Sequence, residues 1–159
     1  MSIKMTEGAY DFFLAGVIQG SVADKSIRTQ DYRGKIKEIV DAKTPGRTVY
    51  CPYSTHNASV KYDDAQADHV FRHHIDLATQ CRFLIAYAPE ASMGTAIEMW
   101  ECHRADVPII AITPLRHNWV VRILSSAVLS DLDEFEQWLS EENLGAMISG
   151  RNRPFSSKD

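Results

Sequence analysis

Glu98 is the acid whose surroundings in the sequence best suit chemistry. It lies on a helical run that follows an apolar strand, Phe83-Leu84-Ile85-Ala86-Tyr87, across Ala88-Pro89-Glu90-Ala91-Ser92-Met93-Gly94-Thr95. In an α/β protein, ligands gather at the carboxyl ends of strands and the amino ends of the helices that follow. Free backbone N–H groups and the helix dipole favour oxygen-rich groups there. Ser92 is placed to cap this helix. Helical side chains lean toward the amino end, so Glu98 leans over Gly94, and a glycine leaves open space above the carboxylate. Met93, Ala96, Ile97 and Trp100 form the stripe expected to pack on the sheet. A solvated glutamate beside a glycine that only permits close packing has the same spacing.

A second acid, Asp76, falls in His73-His74-Ile75-Asp76-Leu77-Ala78, inside a helix whose Val70, Phe71, Ile75 and Leu77 point to burial. Facing the same rim, Asp76 and Glu98 would make a carboxylate pair in which one group attacks and the other trades a proton. The alternative is an exposed aspartate balancing Arg72. His69, His73 and His74 have helical spacing but lack the glutamate of the usual zinc-hydrolase order, a third ligand and any paired cysteines. They are read as solvated or cleft-lining histidines, and no metal is assigned. Gly16-Val17-Ile18-Gln19-Gly20-Ser21 has neither the dinucleotide glycine spacing nor a Walker lysine. Gly16 still lets the backbone approach a ligand closely, and Gln19 offers a donor and an acceptor to a base or sugar. A simple tight turn would use the same residues.

The elements that must position these groups alternate. Strands are expected over about Tyr10–Ile18, Arg47–Tyr53, Arg82–Tyr87 and Val107–Thr113, with helices over about Thr29–Ala42, Asp64–Thr79 and Ser92–Arg104. Trp119–Leu124 reads as a helix, Ala127–Leu129 as a fifth strand and Asp131–Glu142 as a last helix. Continuous apolar strands separated by helices imply a doubly wound α/β sandwich with a mostly parallel sheet of about five strands and right-handed crossovers. The segments Gln19–Arg28 and Ser54–Asp63 leave strand ends and should wall one cleft with Ser92 and Glu98.

Composition sets the outer bounds. The chain has 159 residues, 45% apolar and 24% charged, with a formal charge of −4, which fits one domain over residues 1–149. The polar stretch 150–159 reads as a flexible tail. An acidic balance argues against polymeric nucleic acid, which is held by clustered Lys and Arg. Neither a signal peptide nor a membrane span is evident, so the cytoplasm is the expected location and no membrane partner is assigned. Cys51, Cys81 and Cys102 are read as reduced, mostly buried thiols.

Phe-Leu-Ala-Gly from Phe13 to Gly16, then Asp76, then Ala-Pro-Glu-Ala-Ser-Met-Gly-Thr-Ala-Ile-Glu ending at Glu98 occur in one order. On these motifs the chain resembles the nucleoside 2-deoxyribosyltransferase family, over roughly Tyr10 to Leu129. The resemblance implies a flavodoxin-like fold and cleavage of a nucleoside N-glycosidic bond without metal or cofactor. Glu98 matches the nucleophile that attacks the sugar C1′, and Asp76 the acid/base that serves the departing base. Gly16, Gln19, Tyr53 and Gly94 would line the base and sugar pocket. The family's transferases carry aspartate at the place of Ser92. The related nucleoside 5′-monophosphate N-glycosidases carry serine there, and Ser125 resembles a further phosphate-pocket serine that they lend to a neighbouring subunit.

The departures are specific. Those hydrolases have Ser and Arg where this chain has Val17 and Gln19, leaving Arg28 or Arg33 as stand-ins for the missing cation. A family tyrosine near the first strand is replaced by Phe12 or Phe13. The expected function is a nucleoside (deoxy)ribosyltransferase acting through a glycosyl-Glu98 intermediate on a nucleoside or nucleotide and a free nucleobase. It is expected as a homo-oligomer with shared active sites. The alternatives are a nucleoside 5′-monophosphate N-glycosidase and, from another class, a non-catalytic nucleotide-binding module.

Overall fold

In the computed structural model, which describes residues 9–20 and 23–150, five parallel strands form one sheet in the order β2-β1-β3-β4-β5. The strands are β1 Phe12–Gly16, β2 Val49–Tyr50, β3 Phe83–Tyr87, β4 Ile109–Ile112 and β5 Ala127–Leu129. The helices are α1 Asp31–Lys43, α2 Pro52–Thr55, α3 Asp64–Gln80, α4 Met93–Arg104, α5 Trp119–Leu124, α6 Leu132–Trp138 and α7 Glu141–Ser149, with a short 3₁₀ turn at Ser59–Lys61. This is the doubly wound, flavodoxin-like α/β fold. The expected tail lies outside the described residues beyond Gly150.

Alternation along each strand divides the core in two, because successive side chains point to opposite faces. Phe12, Leu14, Phe83, Ile85, Ile110 and Ile112 face α1, α6 and α7, where they meet Tyr32, Ile36, Val40, Phe135, Leu144 and Met147. Phe13, Ala15, Leu84, Ala86 and Ile109 face the other way, onto Ala78 of α3, Met99 and Cys102 of α4 and Leu124 of α5. Both faces are covered, which explains why these strands read as unbroken apolar runs. All three cysteines are free and buried.

Several boundaries differ from the sequence reading for local reasons. The expected last helix is two helices. Its chain turns extended at Leu139, Ser140 caps a new helix by accepting from the Asn143 N–H at 3.2 Å, and the Asn143 amide bonds back to the Trp138 carbonyl. On α4 the expected stripe faces outward: Met93 is 83% exposed, and Ile97 and Trp100 are also exposed. The buried positions are Thr95, Met99 and Cys102, spaced for one helical face. In α3 only Ala78 is fully buried, and Phe71 is exposed.

Sheet order reverses direction between β1 and β3, since β2 is added on one side and β3 to β5 on the other. The crevice outside the carboxyl ends of such strands is the general ligand position of open α/β sheets.

Candidate active site

A cleft of about 350 Å³ opens at that reversal, within the range of small-molecule sites. Leu14, Ala15 and Gly16 at the end of β1 form its floor. Gln19 and Gly20 come from the loop before α1, and Arg33 comes from α1 itself. Pro52, His56, Ser59 and Tyr62 follow β2, while Val70, Phe71 and His74 come from α3. Ser92, Met93, Gly94, Thr95 and Glu98 bring the amino half of α4.

The amino end of α4 begins at Ser92, whose Oγ accepts the Thr95 N–H at 3.4 Å. Open space lies above the α-carbon of Gly94, one turn before Glu98. Glu98 is the one carboxylate on the cleft wall among the described residues. Burial pushes its pKa from 4.5 up to about 8, against a smaller lowering by the Arg33 charge. A neutral carboxylic acid at pH 7 can donate a proton. Its ionised form, poorly hydrated, is a strong nucleophile.

Arg33 is 5% exposed and tightly held. Its Nε donates to Gln30 Oε1 at 2.6 Å, Nη1 to the Leu14 carbonyl at 3.2 Å, and Nη2 to the Gly16 carbonyl at 3.2 Å. Its guanidinium carbon lies 4.9 Å from the Tyr32 ring centroid and 5.7 Å from that of Tyr53. Arg33 thus places a fixed positive charge under the end of β1.

The α3 side of the cleft is aromatic. His56 Nδ1 and Tyr62 Oη share a hydrogen bond of 2.8 Å, and the His56 ring stands edge-on to His74 at 5.2 Å. Burial, with His56 and His73 nearby, lowers the His74 pKa to about 4, so this ring is neutral at pH 7. Its buried Nε2 has no hydrogen-bond partner among the described residues. No group of three or more His, Cys, Asp or Glu side chains among the described residues is arranged to hold a metal ion.

The fold thus gathers Glu98, Ser92, Gly94, Gly16 and Gln19 around one cleft. Three expected site residues are placed elsewhere. Asp76 is exposed on α3 and is not part of the cleft wall, because two positions on a helix turn it about 200° from His74, which is. Its expected partner Arg72 pairs instead with Asp68 at 2.9 Å. Tyr53 packs against the α1 side of the core, beside Arg33. Ser125 is buried just before β5, at the amino edge of the parallel sheet and therefore at the opposite end from the cleft.

Arg33, His56, Tyr62, Phe71 and His74 complete the wall. The sequence offers Arg33 as a stand-in cation, His74 as a solvated or cleft-lining histidine and His56 and Tyr62 only within the cleft-walling segment Ser54–Asp63, and it reads Phe71 as buried. Arg33 did leave a signal. It shares a helical face with Ile36 and Val40, all buried, and an arginine inside an apolar stripe needs a polar purpose.

Comparison with solved structures finds a 2-deoxyribosyltransferase from the psychrotolerant bacterium Bacillus psychrosaccharolyticus, described as a biocatalyst for the synthesis of antiviral and antitumoral nucleosides. The match has a TM-score of 0.62 at 15% identity and covers 84% of this chain and 94% of that one. At that identity the likeness establishes the shared fold. No family model and no curated protein matches the chain by sequence. Fold and cleft together define a flavodoxin-like α/β protein with a half-buried acid at its topological switch point. Among the described residues, no helix is long and apolar enough to cross a membrane.

Proposed function

We propose that this protein breaks the N-glycosidic bond of a nucleoside and passes the sugar to another nucleobase, with Glu98 as nucleophile. The observation that carries this reading is the Glu98 carboxyl itself. Among the described residues it is the one acid of a cleft of ligand size, set at the β1/β3 reversal, with a pKa raised to about 8 by burial. The fold shared with a 2-deoxyribosyltransferase supports the same chemistry. The C1′–N bond breaks, its electron pair goes to the base, which takes up a proton from solvent, and an oxygen of the ionised Glu98 carboxylate bonds to C1′. A second base then attacks C1′, gives up its N–H proton as it adds, and releases the carboxylate. Ser92 and the amino end of α4 hold the 5′ side of the sugar, while Gly16, Gln19 and Gly94 border sugar and base. Asp76 and Ser125 receive no role within one chain, since neither borders its cleft. The reading includes a homo-oligomer whose copies complete each other's clefts.

A second reading, hydrolysis of a nucleoside 5′-monophosphate, is favoured by two residues of the cleft wall. Ser92 adds no negative charge at the amino end of α4, and Arg33 adds a positive one to the same cleft. The test is chromatography of purified protein incubated with deoxynucleosides, ribonucleosides and their 5′-monophosphates, each with and without free acceptor base, beside Glu98→Ala. A new nucleoside formed only with acceptor establishes transfer. Acceptor-independent release of base from monophosphates establishes hydrolysis. No turnover by the parent protein sinks both.

A further inference from the structure

The loop that leaves β1 is fastened to the loop that leaves β3 by one side chain. Glu90, two residues before the Ser92 cap, receives two hydrogen bonds from Arg28: Nε to Oε1 at 2.7 Å and Nη2 to Oε2 at 3.0 Å. This is the two-pronged arginine–carboxylate geometry that fixes direction as well as distance. Arg28 stands where the loop returns toward α1, its own N–H bonded to the Ile18 carbonyl at 2.6 Å. The neighbouring Gln30 donates to the Val17 and Arg28 carbonyls at 3.2 and 2.7 Å. Glu90 also meets the outgoing limb. Gly20 has φ +60°, and a Cβ built there would lie 2.0 Å from Glu90 Oε1 and 2.9 Å from its carboxyl carbon. A glycine at position 20 serves both needs, a left-handed turn and room for the carboxylate.

We propose that Glu90 is a positioning residue of the cleft: by gripping Arg28 and packing on Gly20 it holds both limbs of the β1–α1 loop, and so keeps Gln19 and Gly20 on the cleft wall. The proposal rests on the reading of the cleft as a nucleoside site and names what sets its β1-side wall. Glu90 itself is not among the residues that line the cleft, so it acts through the loop. Arg28 and Glu90 are partly exposed, 49% and 32% by side chain. Such a pair adds little to global stability, and its effect is local order.

The test compares Glu90→Gln and Arg28→Lys with Asp68→Asn, which breaks an exposed ion pair on α3 whose two residues do not line the cleft. Hydrogen exchange of the Arg28 amide is measured in the protein without substrate, and KM and kcat are measured with whichever nucleoside or nucleotide the parent turns over. Expected for both loop variants is about tenfold faster exchange at Arg28 and a several-fold rise in KM with kcat little changed. The Asp68→Asn control should move neither. Unchanged exchange in Glu90→Gln overturns the proposal whatever the activity. Faster exchange with an unmoved KM also overturns it, leaving the pair purely structural. A parent protein that turns over no nucleoside, yet gives the expected exchange pattern, overturns the nucleoside reading and supports the latch itself.

Discussion

A carboxylic acid that gives up its proton near pH 8 is mostly neutral at pH 7, and that fixes two expectations for Glu98. As nucleophile it must be ionised, so kcat/KM should climb with pH and level off above about 8, as a pH–rate profile would record. The stability effect has the opposite sign. Between pH 4.5 and about 8 the folded protein keeps a proton that the unfolded chain has released, so the stability linked to Glu98 falls as pH rises through that window. Glu98→Gln removes the penalty. The variant should match the parent near pH 4 and melt higher at pH 9, by on the order of 2 kcal/mol or several degrees. Equal melting curves at both pH values would mean the carboxyl is not desolvated. Gly16 answers to sterics instead. A Cβ there would meet Tyr32 Oη at 2.2 Å, and Tyr32 is held by its stack on Tyr87 at 4.1 Å and its bond to the Val17 carbonyl. Gly16→Ala should cost about 1–3 kcal/mol in denaturant unfolding, and Tyr32→Phe should return part of that loss.

Among the elements, α4 teaches most about what a sequence can reveal. Its existence, its Ser92 cap and the spacing that sets Glu98 one turn after Gly94 were all legible, because capping and helical periodicity are local. Its rotation was not. Met93, Ile97 and Trp100 are larger and more apolar than Thr95, Met99 and Cys102, yet the smaller set faces the sheet. Hydrophobicity ranks residues by their wish to leave water and does not say whether the sheet or another surface receives them. Asp76 went astray for the same reason, through an expected burial of α3 that only Ala78 fulfils. Strand alternation, in contrast, was hidden in uniformly apolar runs, and only the two-sided packing separates Phe12 from Phe13. The rotation of α4 can be tested by truncation. Met99→Ala should cost about 2–4 kcal/mol and Ile97→Ala under about 1 kcal/mol by chemical denaturation. The reverse order would place Ile97 against the sheet.

For the whole molecule, the misplaced stripe becomes an argument about assembly. Helices α4 and α5 pack against each other. Their outward faces carry Met93, Ile97 and Trp100 on one and Trp119, Val120 and Ile123 on the other, with Trp119 76% exposed. Single apolar residues on a surface are ordinary, but six large ones lie on two helices that pack on each other, and large exposed apolar faces mark interfaces. The occupant proposed is a second copy of this chain. A two-fold interface sets the same patch of both copies together, and Met93 belongs both to this face and to the cleft wall. Pairing through this face would therefore bring the partner to the mouth of the site. It would also remove the cost of leaving those side chains in water and explain why the smaller residues of α4 suffice for the core. Ile97→Asp combined with Trp119→Glu should convert a dimer to a monomer in light scattering while far-UV circular dichroism stays unchanged. If the cleft is completed by the partner, turnover should fall with dissociation and recover with protein concentration in a weaker single variant. A parent protein that is monomeric at micromolar concentration would overturn the assembly, and with it the shared site, while leaving Glu98 and its cleft untouched.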